Sequence, residues 1–105
     1  MRGMNMGNMM KQAQQMQKKM GQVQEDLAKR VVEGSAGGGM VNVQVSGKQE
    51  LLNIKIDKEV VDPDDVTMLE DLILAAVNQG MKNASELAEK EMGKVTGGMN
   101  IPGLM

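Results

Sequence analysis

The sequence predicts an α+β domain of order α-β-β-β-α, and three patterns carry that expectation. An N-terminal stretch repeats apolar residues every three or four positions, two central stretches alternate apolar and polar residues, and a long apolar-striped segment follows an Asp-Pro turn.

Residues 6–29 read as one amphipathic helix. Met6, Met9, Ala13, Met16, Met20, Val23 and Leu27 are spaced three and four apart, an a/d seam held for three heptads. Gln12, Gln14, Gln15, Gln17, Gln22 and Gln24 fill positions between them as uncharged helix formers. Gly21 is the weak point, costing about 1 kcal/mol relative to Ala. Residues 30–57 read as a three-stranded antiparallel sheet. A short strand at Arg30–Glu33 comes first, and Gly37-Gly38-Gly39 turns the chain into Met40–Ser46, where Val41, Val43 and Val45 alternate with polar residues. Gly47-Lys48-Gln49 closes a hairpin into Leu51–Asp57, where Leu52, Ile54 and Ile56 alternate likewise. Such alternation predicts a sheet with one buried face.

Residues 62–95 hold the second helix. A turn at Asp62–Asp65 precedes a helix from about Thr67 to about Lys94, with Asp62-Pro63 and a Thr67/Glu70 capping box as start signals. Acids at its start and Lys94 at its end suit the helix dipole. Gly97-Gly98 stops it, and residues 96–105 are expected to form a mobile tail.

One domain fits in 105 residues. Its core has no Phe, Tyr or Trp and leans on Met, Leu, Ile, Val and Ala, with 13 Met supplying adaptable packing. Cys and His are absent, which removes thiolate chemistry, Cys-based zinc sites and the usual general base. No cofactor, no small-molecule substrate and no enzymatic activity are expected. The apolar run Leu72–Val77 is far short of the roughly 20 residues a membrane span needs. Residues 1–10 contain no signal-like apolar run, so a cytoplasmic protein is expected.

The formal net charge of −2 hides a polarised chain. Residues 1–24 carry Arg2, Lys11, Lys18 and Lys19 with no acid, whereas residues 57–71 carry seven acids and only Lys58. Lys11 and Lys18 share a helix face opposite the methionine seam, with Lys19 beside them. That spacing suits phosphate tracking along a duplex, although a solvated helix face produces the same pattern. Lys29 and Arg30 extend the set. Lys90 and Lys94 do so less securely, among Glu86, Glu89 and Glu91. With few side chains suited to reading base edges, sequence preference should be loose. Without aromatics there is no stacking platform for single strands, so duplex DNA is the expected nucleic acid.

Three other motifs have simpler explanations. Gly37-Gly38-Gly39 lies between strands, not before a helix, and is a turn rather than a phosphate loop. The Met4, Met6, Met9 and Met10 thioethers could hold a soft ion, but Met9 belongs to the seam. The acids at 57–71 lack the regular spacing of a calcium loop.

Self-association follows from lengths. A 24-residue helix spans roughly 36 Å and six-residue strands roughly 20 Å, so the first helix overhangs the sheet. Leu72–Val77 is apolar all round and wants cover on two sides. A homodimer is expected, with Met9, Met16, Met20, Leu69, Leu72, Ile73 and Ala76 as candidate contacts.

Several segments in register resemble the YbaB/EbfC nucleoid-associated proteins. They are 39–48, Ile54-Lys55-Ile56-Asp57, Val61-Asp62-Pro63-Asp64-Asp65-Val66, Met68–Ile73, Ala75–Asn78, and the ending Met92–Gly98 with Ile101-Pro102-Gly103-Leu104. The resemblance implies a bacterial, tweezer-like homodimer that binds DNA, organises the nucleoid and affects gene expression or DNA protection. A protein-interaction adaptor gripping its partner through methionine-rich helices is the alternative from another class.

Overall fold

The computed structural model describes residues 6–96. Arg2, Met4 and positions 97–105 of the expected tail lie outside them. The elements are α1 (Met6–Lys29), β1 (Val31–Ala36), β2 (Val41–Ser46), β3 (Leu51–Ile56), a short 3-10 turn at Lys58–Val60, and α2 (Val66–Thr96). The sheet is antiparallel in the order β1-β2-β3.

β1 runs three residues beyond its expected end. Gly34, Ser35 and Ala36 are poor strand formers, yet they pair with Val43, Asn42 and Val41. The reason is packing. A Cβ on Gly34 would collide with the Ala76 carbonyl oxygen and the Gly80 amide nitrogen, and would lie 2.8 Å from Gly80 Cα. Gly34 therefore lets the backbone of α2 press against β1, and tertiary contact overrides local propensity. The strand ends at Gly37-Gly38-Gly39, whose φ angles of 64°, 68° and 95° are costly for any residue with a side chain.

The core lies between α2 and the face of β1 and β2. Val41, Val43, Val45, Ala76 and Ala84 are fully buried, with Leu69, Leu72, Ile73, Val77 and Met81 packed around them. α2 lies mainly on β1, less on β2, and hardly touches β3. This corrects the expectation that Leu52, Ile54 and Ile56 lie on a buried face. Every β3 residue is exposed, although Ile54 and Ile56 stand opposite Val43 and Val41. A β-bulge after Gln44 sets Leu51 opposite Val45.

α2 begins at Val66. Its cap is Asp65, whose carboxylate accepts the Met68 N–H at 3.2 Å, rather than the Thr67/Glu70 pair. Asp62 instead accepts the Asp64 N–H at 2.9 Å and shapes the turn around Pro63. α1 is rooted at its C-terminal end, where Leu27 is buried with its Cβ about 3.0 Å from the position a Gly47 side chain would occupy. The assembly is elongated, 75 × 26 × 16 Å. Its radius of gyration of 20.4 Å far exceeds the roughly 13 Å of a compact chain this long.

The same substitution should have opposite signs at two glycines. Gly34→Ala should lower stability by about 3 kcal/mol, the upper end of overpacking costs. Gly21→Ala, with nothing within 4 Å of the added carbon, should raise it by about 0.5–1 kcal/mol. Urea midpoints at one protein concentration would check both.

Candidate nucleic-acid interface

α1 and the end of α2 run antiparallel and form an arm. Leu27 is buried, Val23, Met20 and Met16 are half-buried, and residues 6–15 are all exposed. The seam is thus covered only along its C-terminal half. Met9, Ala13, Met16 and Lys19 of α1 and Lys94 and Val95 of α2 line an open groove of about 710 Å³.

Lys11, Lys18 and Lys29 fall on one face of α1, because their separations of seven and eleven residues are near whole turns. All three are exposed and belong to no ion pair among the described residues. Glu25 stands between Lys18 and Lys29 on that face, so the uninterrupted cationic stretch is Lys11–Lys19. Lys19 sits on the flank toward α2. With Gln22, Asp26, Glu91 and Lys94 it lines a second groove of about 380 Å³. Lys90 is exposed and likewise in no ion pair.

Arg30 and Lys94 differ from the rest. All three ion pairs among the described residues form one chain, Asp26–Arg30–Glu91–Lys94. Arg30 Nη1 donates to Asp26 Oδ2 at 3.4 Å and to Glu91 Oε1 at 3.0 Å, and Lys94 Nζ lies 2.9 Å from Glu91 Oε2. The hydrogen bond from Lys94, helped by that from Arg30 and opposed by desolvation, holds the Glu91 carboxyl below its ordinary value of 4.5. Two of the seven expected phosphate ligands are therefore already engaged by carboxylates of their own chain. The i,i+3 step from Glu91 to Lys94 is visible in the sequence. The link from Arg30, 61 positions away, appears only once the helices are packed.

The expected dimer contacts divide in two. Leu69, Leu72, Ile73 and Ala76 face the chain's own sheet, and Ala76 is fully buried there. Of these four, Ala76 is taken up wholly by the intrachain core, while Leu69, Leu72 and Ile73 pack against that core and stay partly exposed. Their i, i+3, i+4, i+7 spacing is simply the core stripe of α2. Met9 remains 52% exposed, while Met16 and Met20 are partly covered by the arm.

Further exposed apolar surface lies away from the arm. Leu51, Leu52, Ile54 and Ile56 on β3, and Leu74 and Met68 on α2, are between 36% and 60% exposed. The two sheet edges also differ. On β1, the Ser35 N–H donates to Gln79 Oε1 at 2.7 Å, and the Glu33 carbonyl accepts from Asn83 Nδ2 at 2.8 Å. Side chains of α2 thus blunt the β1 edge and leave β3 bare. Among the described residues no helix is long and apolar enough to cross a membrane.

Comparison with known proteins accords with this architecture. A nucleoid-associated protein of Alkaliphilus metalliredigens is 63% identical over 100 residues, covering 95% of this chain and 88% of its own. One from Caldanaerobacter subterraneus subsp. tengcongensis is 57% identical, covering 97% and 92%. One from Desulforamulus reducens is also 57% identical, covering 99% of both chains. The crystal structure of the uncharacterized protein HP0035 from Helicobacter pylori matches with a TM-score of 0.74 at 25% identity, covering 83% of this chain and 91% of that one. The profile of the YbaB/EbfC DNA-binding family matches residues 1–99, and the chain belongs to that family.

Proposed function

We propose that this protein binds duplex DNA in the bacterial nucleoid as a homodimer, through phosphate contacts from α1 and with loose sequence preference. The observation that carries the reading is the exposed Lys11–Lys18–Lys19 stretch on a projecting helix, in no ion pair among the described residues. Lys11 and Lys18 are about 10 Å apart along the axis, roughly three phosphates of one strand. Neither the arm nor the grooves offer a nucleophile–base pair, and the family is a DNA-binding one rather than an enzyme family. The relatives' description as nucleoid-associated proteins supports architectural work on the chromosome, and consequences for gene expression or DNA protection belong to the same proposal.

The dimer is argued from β3. Its exposed Leu and Ile side chains and free backbone edge form an apolar sheet surface that α2 neither covers nor caps. A second copy seated there would bury that surface and give the assembly two cationic arms. Arms duplicated in this way double the phosphates neutralised.

Two measurements test the reading. Log affinity for random-sequence duplex against log salt should slope at roughly −4 to −5. Reversing Lys11→Glu and Lys18→Glu should flatten that slope by about 3–4 and abolish the complex at physiological salt. Salt-independent binding would sink the phosphate model, and a partner protein retained by the reversed variant would favour the methionine adaptor. For the dimer, Ile54→Lys should halve the mass seen by light scattering while leaving helix content intact, since Ile54 is already 39% exposed in the single chain. An unchanged mass would move the interface away from β3.

A further inference from the structure

Glu91 stands where the two arm helices share charge. Its side chain is only 13% exposed, whereas those of its partners Arg30 and Lys94 are 45% and 65% exposed. Each carboxylate oxygen takes one cation: Oε1 accepts from Arg30 and Oε2 meets Lys94. Lys19 and Gln22 of α1 line the same groove, with Asp26 as the other anion. The result is a covered anion held by two cations that remain open to solvent, with Lys19 on the wall of the same groove. A backbone phosphate offers the same chemistry, two anionic oxygens for guanidinium and ammonium donors.

We infer that Glu91 is an internal competitor of DNA phosphate, holding Arg30 and Lys94 in the free protein and releasing Lys94 when DNA lies along the arm. Glu91 then sets how many of the arm's cations DNA can use. The inference rests on the DNA-binding reading and deepens it. Half-exposed ion pairs are weak enough to exchange, so the competitor lowers affinity without forbidding binding. Asp26 plays a lesser part, because its contact to Arg30 is longer, at 3.4 Å, and its side chain is 60% exposed.

The test compares Glu91→Gln with Glu89→Gln. Both remove one negative charge from the end of α2, but Glu89 is exposed and joins no ion pair among the described residues. Binding to random-sequence duplex is followed by anisotropy across a salt titration, with helix content and melting point recorded for each variant. Glu91→Gln should bind several-fold more tightly than Glu89→Gln, with a salt slope steeper by about 1–2 per chain. Lys94→Gln should weaken binding more in the Glu91→Gln background than in the wild type. If Glu91→Gln fails to fold, Glu91→Asp decides, since the shorter carboxylate keeps its charge but cannot span both cations; its affinity should also rise. Equal effects of the Glu91 and Glu89 changes, an equal cost of Lys94→Gln in both backgrounds, or wild-type affinity in Glu91→Asp would overturn the inference. Should DNA binding depend on Lys11 and Lys18 yet ignore Glu91, only this inference falls. If no variant binds DNA, the functional reading falls with it.

Discussion

The close approach of α2 to β1 is the constraint on which the rest of the molecule depends. At Gly34 and Gly80 two backbones meet with no side chain between them, and a Cβ on Gly80 would lie 2.8–2.9 Å from the methyls of Val45 and Val43. Such contact fixes the helix sideways, because an off-centre α2 is the geometry in which these glycines face each other. Once α2 lies over β1 and β2, it cannot also cover β3. Its own length does the rest: 31 residues span roughly 46 Å, against roughly 20 Å for the strands. The surplus leaves the sheet and becomes the surface on which α1 lies. Bare β3 and projecting arm are thus two results of one packing decision.

A thin core is the physical ground for the proposed self-association. Among the described residues the buried apolar side chains are Val, Ala and one Leu, with methionines and larger aliphatics only partly covered around them. No aromatic adds the large buried area that a single ring supplies. A chain of this kind has little stability in reserve, and the exposed Leu and Ile of β3 are the obvious store of further apolar burial. The blunted β1 edge points the same way. Gln79 and Asn83 satisfy backbone groups there that would otherwise seek another strand, which leaves the opposite edge as the free one.

Much of the fold was legible in the residues, and its misreadings share a cause. α1 follows its heptad seam from Met6 to Lys29, and β2 follows its valines, since both patterns are local. Gly34–Ala36 looked like the end of a strand because the partner that makes Gly34 useful lies more than forty positions away. The apolar run at 72–77 showed that two sides needed cover but not which side faced inward. Leu69, Leu72, Ile73 and Ala76 took the sheet, leaving Leu74 outside at 60% exposure. In the candidate interface, helical spacing alone is enough to set Lys11 and Lys18 on one face. Arg30 was assigned with them because a sequence displays charge but not the carboxylate that a distant helix brings to it.

That last difference divides the arm's electrostatics. Toward its free end, Lys11 and Lys18 stand in water with no acid on their face until Glu25, and any polyanion meets them uncompensated. At the root, Arg30 and Lys94 are tied to Glu91, which joins the loop after α1 to the end of α2. The pairs there serve geometry as well as charge, since they help hold the two helices side by side where apolar contact is sparse. A phosphate drawn to the root must therefore displace part of what orients the arm, whereas one drawn to the tip displaces only counterions. On the proposed reading, a duplex would meet the tip first and reach the root only when it lies along the whole helix. On that reading the charge gradient, more than the overall charge of −2, is what would let a weakly acidic protein approach an acidic polymer.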